Sequence, residues 1–318
     1  MKKILTVLLV LTLSIVMFAA CGGSSGNAPA APAPTESSAP AAEAPAEAPA
    51  ATAVSNFDAN REITVVSREN GSGTRGAFVE LTGVEVRDDD GNTTDRTTVE
   101  AAIGNSTSAI MTNVAGDTYA IGYISTGSVN NTIKTVSVDG VEPTAANILA
   151  GNYKISRPFI IVTKGNLEAV TEDFISFILS KEGQEVIAAS YIPIDSGAAA
   201  FQSNGATGKI VVGGSTSVTP VMEKLSEAYL TLNPGAAIEI HSTGSGAGIT
   251  GAIDGVVDIG MSSREIKDSE MEELDQNITI CKDGIAMIVN NNNPITNVTT
   301  EQVREIYTGE ITRWSGVQ

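Results

Sequence analysis

The sequence predicts an α/β fold divided into two lobes, and three observations predict it. Short apolar stretches of strand length alternate with amphipathic stretches of helical period, the pattern of mostly parallel sheets covered by helices. Polar, glycine-rich turns sit where a strand passes into a helix. About 260 residues follow a Pro/Ala-rich region, a length at which single hydrophobic cores divide.

The elements follow in order. Ile63-Thr64-Val65-Val66 reads as a strand, then a Gly-rich loop and a helix from about Arg75 to Leu81. Asp88-Asp89-Asp90-Gly91-Asn92 is a solvated turn. Ala120 to Ile124 is a strand, and Phe159 to Val162 a fully apolar one. Phe174, Ile175, Phe177, Ile178 and Leu179 fall on helical spacing. Ile210-Val211-Val212 precedes a second Gly/Ser loop and a helix from Pro220 to about Leu230. Ala237 to Ile240, Val257 to Gly260 and Ile285 to Val289 are further strands, and Thr300 to Tyr307 is a helix.

Composition removes several function classes. The 318 residues carry 19 Lys+Arg against 37 Asp+Glu, a net charge of −18. Nucleic acid is a poor partner for such a chain, because its affinity comes from cations that neutralise phosphates. One His, His241, and two Cys, Cys21 and Cys281, exclude a zinc cluster and a disulfide framework, and no metal or cofactor is expected. His241 is expected to pack at a strand end, and Cys281 to be a buried small hydrophobe. None of Ser72, Ser215, Ser245 and Ser262 has both glycines of G-x-S-x-G, and no G-x-x-x-x-G-K-[ST] occurs, so the chain does not read as an enzyme.

Residues 1–20 read as a secretory leader: Met1-Lys2-Lys3, an apolar run from Ile4 to Val16, then Phe18-Ala19-Ala20 before Cys21. The run is short for a membrane span. The small residues before Cys21 resemble the bacterial lipobox, which implies that Cys21 is the lipidated first residue of the mature protein. Several acyl chains would anchor it firmly. Residues 27–54 hold six of the twelve prolines and no periodic apolar face, so 21–56 reads as an anchor and a disordered tether. Extended, it reaches about 80 Å.

Three Gly-rich loops each follow a strand and precede a helix: Ser67–Arg75, Gly213–Ser217 and Thr243–Gly248. Such a unit presents unpaired backbone N–H groups and the positive end of a helix dipole, a site for an oxyanion. Each loop alone is equally an ordinary helix cap; three together, one with Arg68, point to a binding site. A fourth segment, Asp258–Glu265, ends a strand with Ser262, Ser263 and Arg264. Arg suits a bidentate grip on phosphate or sulfate, although Arg264 equally fits a surface salt bridge.

At these loops the chain resembles the PstS-type phosphate-binding lipoproteins of bacterial ABC uptake systems. The matching stretches are Ile63–Phe78 (ITVVSRENGSGTRGAF), Ala120–Ser125 (AIGYIS), Ser156–Lys164 (SRPFIIVTK), Tyr191–Ile194 (YIPI), Ile210–Pro220 (IVVGGSTSVTP), Asp258–Glu265 (DIGMSSRE) and Ile306–Trp314 (IYTGEITRW). Their order differs from the family's: IVVGGSTSV usually comes first, and IYTGEITRW leads into SRENGSGTR. The resemblance therefore implies a circular permutation, with 195–208 joining the usual ends. A gene-fragment fusion or a swapped oligomer would leave the same order.

The resemblance implies a two-lobed periplasmic-binding-protein-like fold of type II, joined by crossing strands near Pro158–Val162 and Ile285–Val289. Lobe II would be 57–155 plus 290–318, and lobe I 156–289. The implied phosphate site takes Arg68, Ser72, Gly73 and Thr74 from lobe II. It takes Thr216, Ser217, Ser245, Ser262 and Ser263 from lobe I, with Ser215, Asn70, Asp258, Arg264 and Glu265 as further candidates. Some family members place Asp at the positions of Ser263 and Asn70; a carboxylate there would accept the proton that phosphate keeps and sulfate lacks. Asp258, Glu265, a hydroxyl or a carbonyl could serve instead. The expected function is an extracytoplasmic, lipid-anchored receptor that captures phosphate and delivers it to an ABC permease. The alternatives are another oxyanion such as sulfate or molybdate, a non-transporting surface sensor, or a phosphoester-acting enzyme.

Overall fold

The computed structural model describes residues 57–317; the leader, Cys21 and the tether read from the sequence lie outside the described residues. β1 (Thr64–Arg68) extends the apolar run by two polar residues and leads into α1 (Gly73–Leu81), whose N-cap Ser72 accepts a hydrogen bond from the Arg75 backbone. The acidic stretch is the turn of a hairpin, β2 (Glu85–Arg87) and β3 (Thr93–Asp95). There the Asp88 carboxylate accepts from the backbone N–H groups of Asp90 and Asn92.

Next come β4 (Ala102–Gly104), α2 (Thr107–Gly116), β5 (Ala120–Ser125), β6 (Lys134–Val138), α3 (Ala145–Leu149) and β7 (Ser156–Thr163). α4 (Ala169–Leu179) and α5 (Lys181–Ala188) are separated by Ser180, which caps the second by accepting from Gly183 N. β8 (Ile192–Pro193) precedes the mostly exposed stretch 195–207, whose Phe201 packs on Phe177. Then follow β9 (Gly208–Gly214), α6 (Thr219–Leu232), β10 (Ala236–Ser242), α7 (Ser245–Ile253), β11 (Ile259–Ser262), α8 (Asp268–Met271), β12 (Gln276–Val289) and β13 (Asn297–Val298). Last is α9 (Thr300–Thr308), opened by a capping box between Thr299 and Gln302 and closed by Gly309 at φ 82°.

The main sheet runs β10-β9-β11-β7-β12-β5-β1-β4. It is mixed rather than mostly parallel. β9 pairs in parallel with β10 and β11, and β1 with β4 and β5, but β7 and β12 run antiparallel to their neighbours. The reason is β12, which is far longer than the apolar segment Ile285–Val289. It pairs with β7 through Gln276–Gly284 and with β5 through Ile285–Val289, joining the two halves of the sheet. Its first part alternates polar and apolar residues, which hid it from an apolar-run reading.

Each half has its own core. Phe159, Phe174, Phe177, Met222 and Tyr229 lie in one cluster; Phe78, Tyr123, Tyr307 and Trp314 lie in another. Phe78 stacks on Tyr123 with ring centroids 3.9 Å apart. Full burial of each aromatic contributes roughly 1.5–3 kcal/mol. The first and last described residues meet: Ile63 N donates to Thr312 O, Ser315 N donates to Ala59 O, and Phe57 packs on Trp314. Cys281 is fully buried as expected, and burial pushes its thiol up. His241 instead lies half exposed on β10, 3.1 Å from Glu239, because β10 is the sheet edge and this side chain meets solvent.

Arg157 of β7 and Asp283 of β12 are cross-strand partners. Their side chains are 1% and 0% exposed, with Arg157 Nη2 3.1 Å from Asp283 Oδ2. Ser125 and Thr126 donate to Asp283 Oδ1, both at 2.9 Å, and Arg157 Nη1 donates to Ser263 O at 3.0 Å. Burial raises the Asp283 carboxyl above its ordinary value, while Arg157 and the two hydroxyls oppose that shift. Removing one partner strands a buried charge. Arg157→Ala should therefore lower unfolding free energy by about 3–5 kcal/mol in urea titrations. A loss below about 1 kcal/mol would show that water reaches Asp283 and carries its charge.

Candidate functional site

The turns β1–α1, β4–α2, β9–α6 and β10–α7 leave the C-terminal ends of parallel strands and enter helix N-termini. That is where ligands bind in open α/β sheets. Their hydroxyls converge. Thr74 Oγ1 lies 2.8 Å from Ser217 Oγ, and Ser215 Oγ donates to Ser263 Oγ at 2.8 Å. Ser245 Oγ lies 3.3 Å from Ser263 Oγ and accepts from Ser263 N at 3.1 Å. The Ser217 backbone N–H donates to Ser215 Oγ, linking the two groups of hydroxyls. All five residues are at least nine-tenths buried.

Loops far apart in sequence close on one another here. A Cβ on Gly73 would stand 2.2 Å from Ser245 Oγ and 2.9 Å from Ser263 Oγ, so only glycine fits. Beside it, Gly246 N donates to Gly71 O at 3.1 Å. Of the sequence candidates, Gly73, Thr74, Ser215, Ser217, Ser245 and Ser263 are brought together directly. Thr216 joins them through Thr107, whose Oγ1 lies 3.1 Å from Thr216 Oγ1.

Arg68 is 2% exposed, and both Nε and Nη2 donate to the Glu69 carboxylate at 2.8 Å. The guanidinium is thus buried and already paired. Arg75 Nη1 donates to Arg68 O while its Nε pairs with Asp95, fixing the loop from behind. Tyr123 OH accepts from Arg68 N and shares a 2.9 Å bond with Ser67 Oγ; burial pushes its hydroxyl up to about 12.

Several candidates fall elsewhere. Ser262 is buried, but its hydroxyl donates to Arg264 O and accepts from Arg264 N, closing a local turn. Arg264 grips Glu270 with both terminal nitrogens, at 2.8 and 2.7 Å. Glu265 is exposed, because β11 has ended and the chain turns outward. Asp258 accepts from Val211 N at 2.7 Å and braces β9. Asn70 is exposed at the loop tip, and the Ser72 hydroxyl caps α1. Among the described residues, none of these carboxylates is hydrogen-bonded to the hydroxyl cluster.

Thr107, Glu69 and Arg157 were not singled out by sequence reasoning. Thr107 had a signal: Ala102-Ile103-Gly104-Asn105-Ser106-Thr107-Ser108 repeats the strand–Gly–Ser/Thr–helix pattern of the other loops. Arg157 had none, since a cation inside an apolar strand shows its partner only after strands pair. The assembled site offers hydroxyl and N–H donors at four helix N-termini, one paired Arg, and close approach at Gly73. Chemically it can hold a dehydrated oxyanion.

A family profile described as PBP superfamily domain matches residues 47–182 and 199–317. The chain is 49% identical over 255 residues to the phosphate-binding protein PstS 2 of Streptococcus agalactiae serotype V, covering 80% of this chain and 87% of that protein. It is 42% identical over 268 residues to the PstS 2 of Streptococcus pneumoniae serotype 4, covering 84% and 91%. Among solved structures it is similar to a phosphate-binding protein of a phosphate ABC transporter from Streptococcus pneumoniae TIGR4. There the TM-score is 0.65 and the identity 43%, over 81% of this chain and 100% of that one.

The interloop contact predicts a measurable effect. Gly73→Ala forces the β1–α1 loop away from Ser245 by about the width of a methyl group. In hydrogen exchange the Gly246 amide should lose its protection while amides of β7 keep theirs. Equal protection of Gly246 in both proteins would show that the two loops do not depend on this approach.

Proposed function

The chain belongs to the PBP superfamily and, within it, to the PstS phosphate-binding proteins; on that premise we propose that it captures inorganic phosphate between two lobes and presents it to an ABC permease. The observation that carries the reading is the direct meeting of Thr74 with Ser217 and of Gly73 with Ser245. These pairs join loops from the two halves of the sheet. An oxyanion stripped of water needs many donors at once, and no single loop could supply them. Neutral N–H and O–H dipoles do so without a cation cluster, which suits a chain of net charge −18. Capture and delivery need no nucleophile or general base, and a receptor role accounts for the site without turnover.

Lobe II is 57–155 plus 290–318 and lobe I is 156–289 in this reading, with β7 and β12 as the crossing strands. Closure about them brings the hydroxyls onto the anion. The permuted order is supported by the pairing of residues 59–63 with 312–315 and by the mostly exposed stretch 195–207 between β8 and β9. Adjacent ends and a surface connection are what a permutation requires. Cys21 carries the lipid anchor, and the tether holds the receptor at the outer face of the cell membrane.

With Glu69 committed to Arg68 and Asp258 to Val211, selectivity in this reading comes from a neutral acceptor. Ser263 Oγ, between Ser215 and Ser245, has lone pairs that can take the proton of monohydrogen phosphate. A hydroxyl does not repel sulfate as a carboxylate would, so sulfate is the rival ligand that this geometry favours.

Isothermal titration with phosphate tests the reading. Arg68→Ala and Thr74→Val should each weaken binding at least about tenfold, the scale of a lost charge-assisted or buried hydrogen bond. Melting temperature should change little in Thr74→Val. Unchanged affinity in both variants would defeat the site. Sulfate should displace phosphate at lower excess than a carboxylate-gated receptor would allow; a Ser263→Asp variant should raise the excess required.

A further inference from the structure

We propose that Thr107 is a positioning residue for anion capture: from lobe II its hydroxyl reaches across the cleft and orients the Thr216 hydroxyl of lobe I. This inference rests on the phosphate-receptor reading and gives a role in it to the β4–α2 turn, which lies outside the three loops marked in the sequence.

Thr107 is the first residue of α2 and is 6% exposed. Its Oγ1 lies 3.1 Å from Thr216 Oγ1 and 3.4 Å from Ser217 Oγ. Its neighbours do not share this role. Ser106 caps the helix by accepting from Ala109 N, and Ser108 faces Ser106 at an exposed position. Of three consecutive hydroxyls, only the middle one enters the cleft.

Proton counting shows what it does there. Each hydroxyl carries one proton and two lone pairs. Thr216 and Ser217 can donate to an anion only if their protons point into the site. Their lone pairs must then be served by other donors. Ser217 has Thr74 at 2.8 Å. Thr216 has Thr107, the side-chain partner it shows among the described residues. The Thr107 proton therefore goes to Thr216 Oγ1, and the Thr216 proton is freed for the anion. Without that donor, the Thr216 hydroxyl can satisfy itself by turning elsewhere.

The bond also senses closure. Both partners of the Thr107 hydroxyl belong to the opposite lobe, so parting the lobes returns it to water. Its contribution is made in the closed complex and not in the encounter, and it should appear in the dissociation rate.

Thr107→Val keeps shape and removes the hydroxyl; Thr107→Ser keeps the hydroxyl. With phosphate as probe, calorimetry and stopped-flow should show affinity falling about tenfold in Thr107→Val. The dissociation rate should rise by the same factor with association unchanged. Thr107→Ser should stay within about twofold of wild type, and the ligand-free melting temperatures of all three should agree. Wild-type affinity and dissociation rate in Thr107→Val would overturn the inference alone. So would a Thr107→Ser variant as weak as Thr107→Val, which would assign the effect to the methyl group. A wild-type chain that binds neither phosphate nor sulfate overturns the receptor reading and this inference together.

Discussion

Gly73 lies against Ser245 with no room for a methyl group, and that close approach is the constraint on which the binding site depends. Hydroxyls and backbone N–H groups are weak ligands singly. They become an adequate shell for a dehydrated ion only when several reach it together. The two loops must therefore touch, and a side chain at position 73 would hold them apart. The neighbouring Gly246–Gly71 bond and the Thr74–Ser217 pair depend on the same proximity.

The electrostatics follow a similar economy. A strongly acidic chain repels anions at long range, although salt screens that field beyond roughly 10 Å. Inside the cleft the local picture differs. Arg68 is neutralised by Glu69 through a bidentate pair, so the site gains directed donors without much net charge. Four helix N-termini add partial positive charge where no side chain carries one. In the proposed function the ion is held by geometry rather than by net charge.

Behind the site, the paired Arg157 and Asp283 connect that geometry to the crossing strands. Arg157 reaches the Ser263 carbonyl, and Asp283 holds Ser125 and Thr126 at the end of β5. One ion pair thus ties the strand junction to a residue of the hydroxyl cluster. Thr107 makes the corresponding tie at the front, between α2 and the β9–α6 turn. Arg157 left no trace in the sequence because it sits inside an apolar strand, whereas the Gly104–Thr107 turn repeats the pattern of the other loops and was passed over because the strand before it has only three residues.

The sequence by itself determined the α/β class, the longer apolar strands and the helices that follow the Gly-rich loops, and three of the four turns that meet at the hydroxyl cluster. Those features are local: apolar period, caps and glycine placement are written within a dozen residues. Through the family resemblance it also pointed to Thr74, Ser217, Ser245 and Ser263. Only the tertiary structure decided that Ser262, Asp258 and Arg264 bond elsewhere, that Glu265 is exposed, that Arg68 is paired with Glu69, and that Thr107 meets Thr216. Each of those outcomes depends on where a side chain finds its partner, and the partners are supplied by strand pairing and by the meeting of two lobes, which no local pattern encodes.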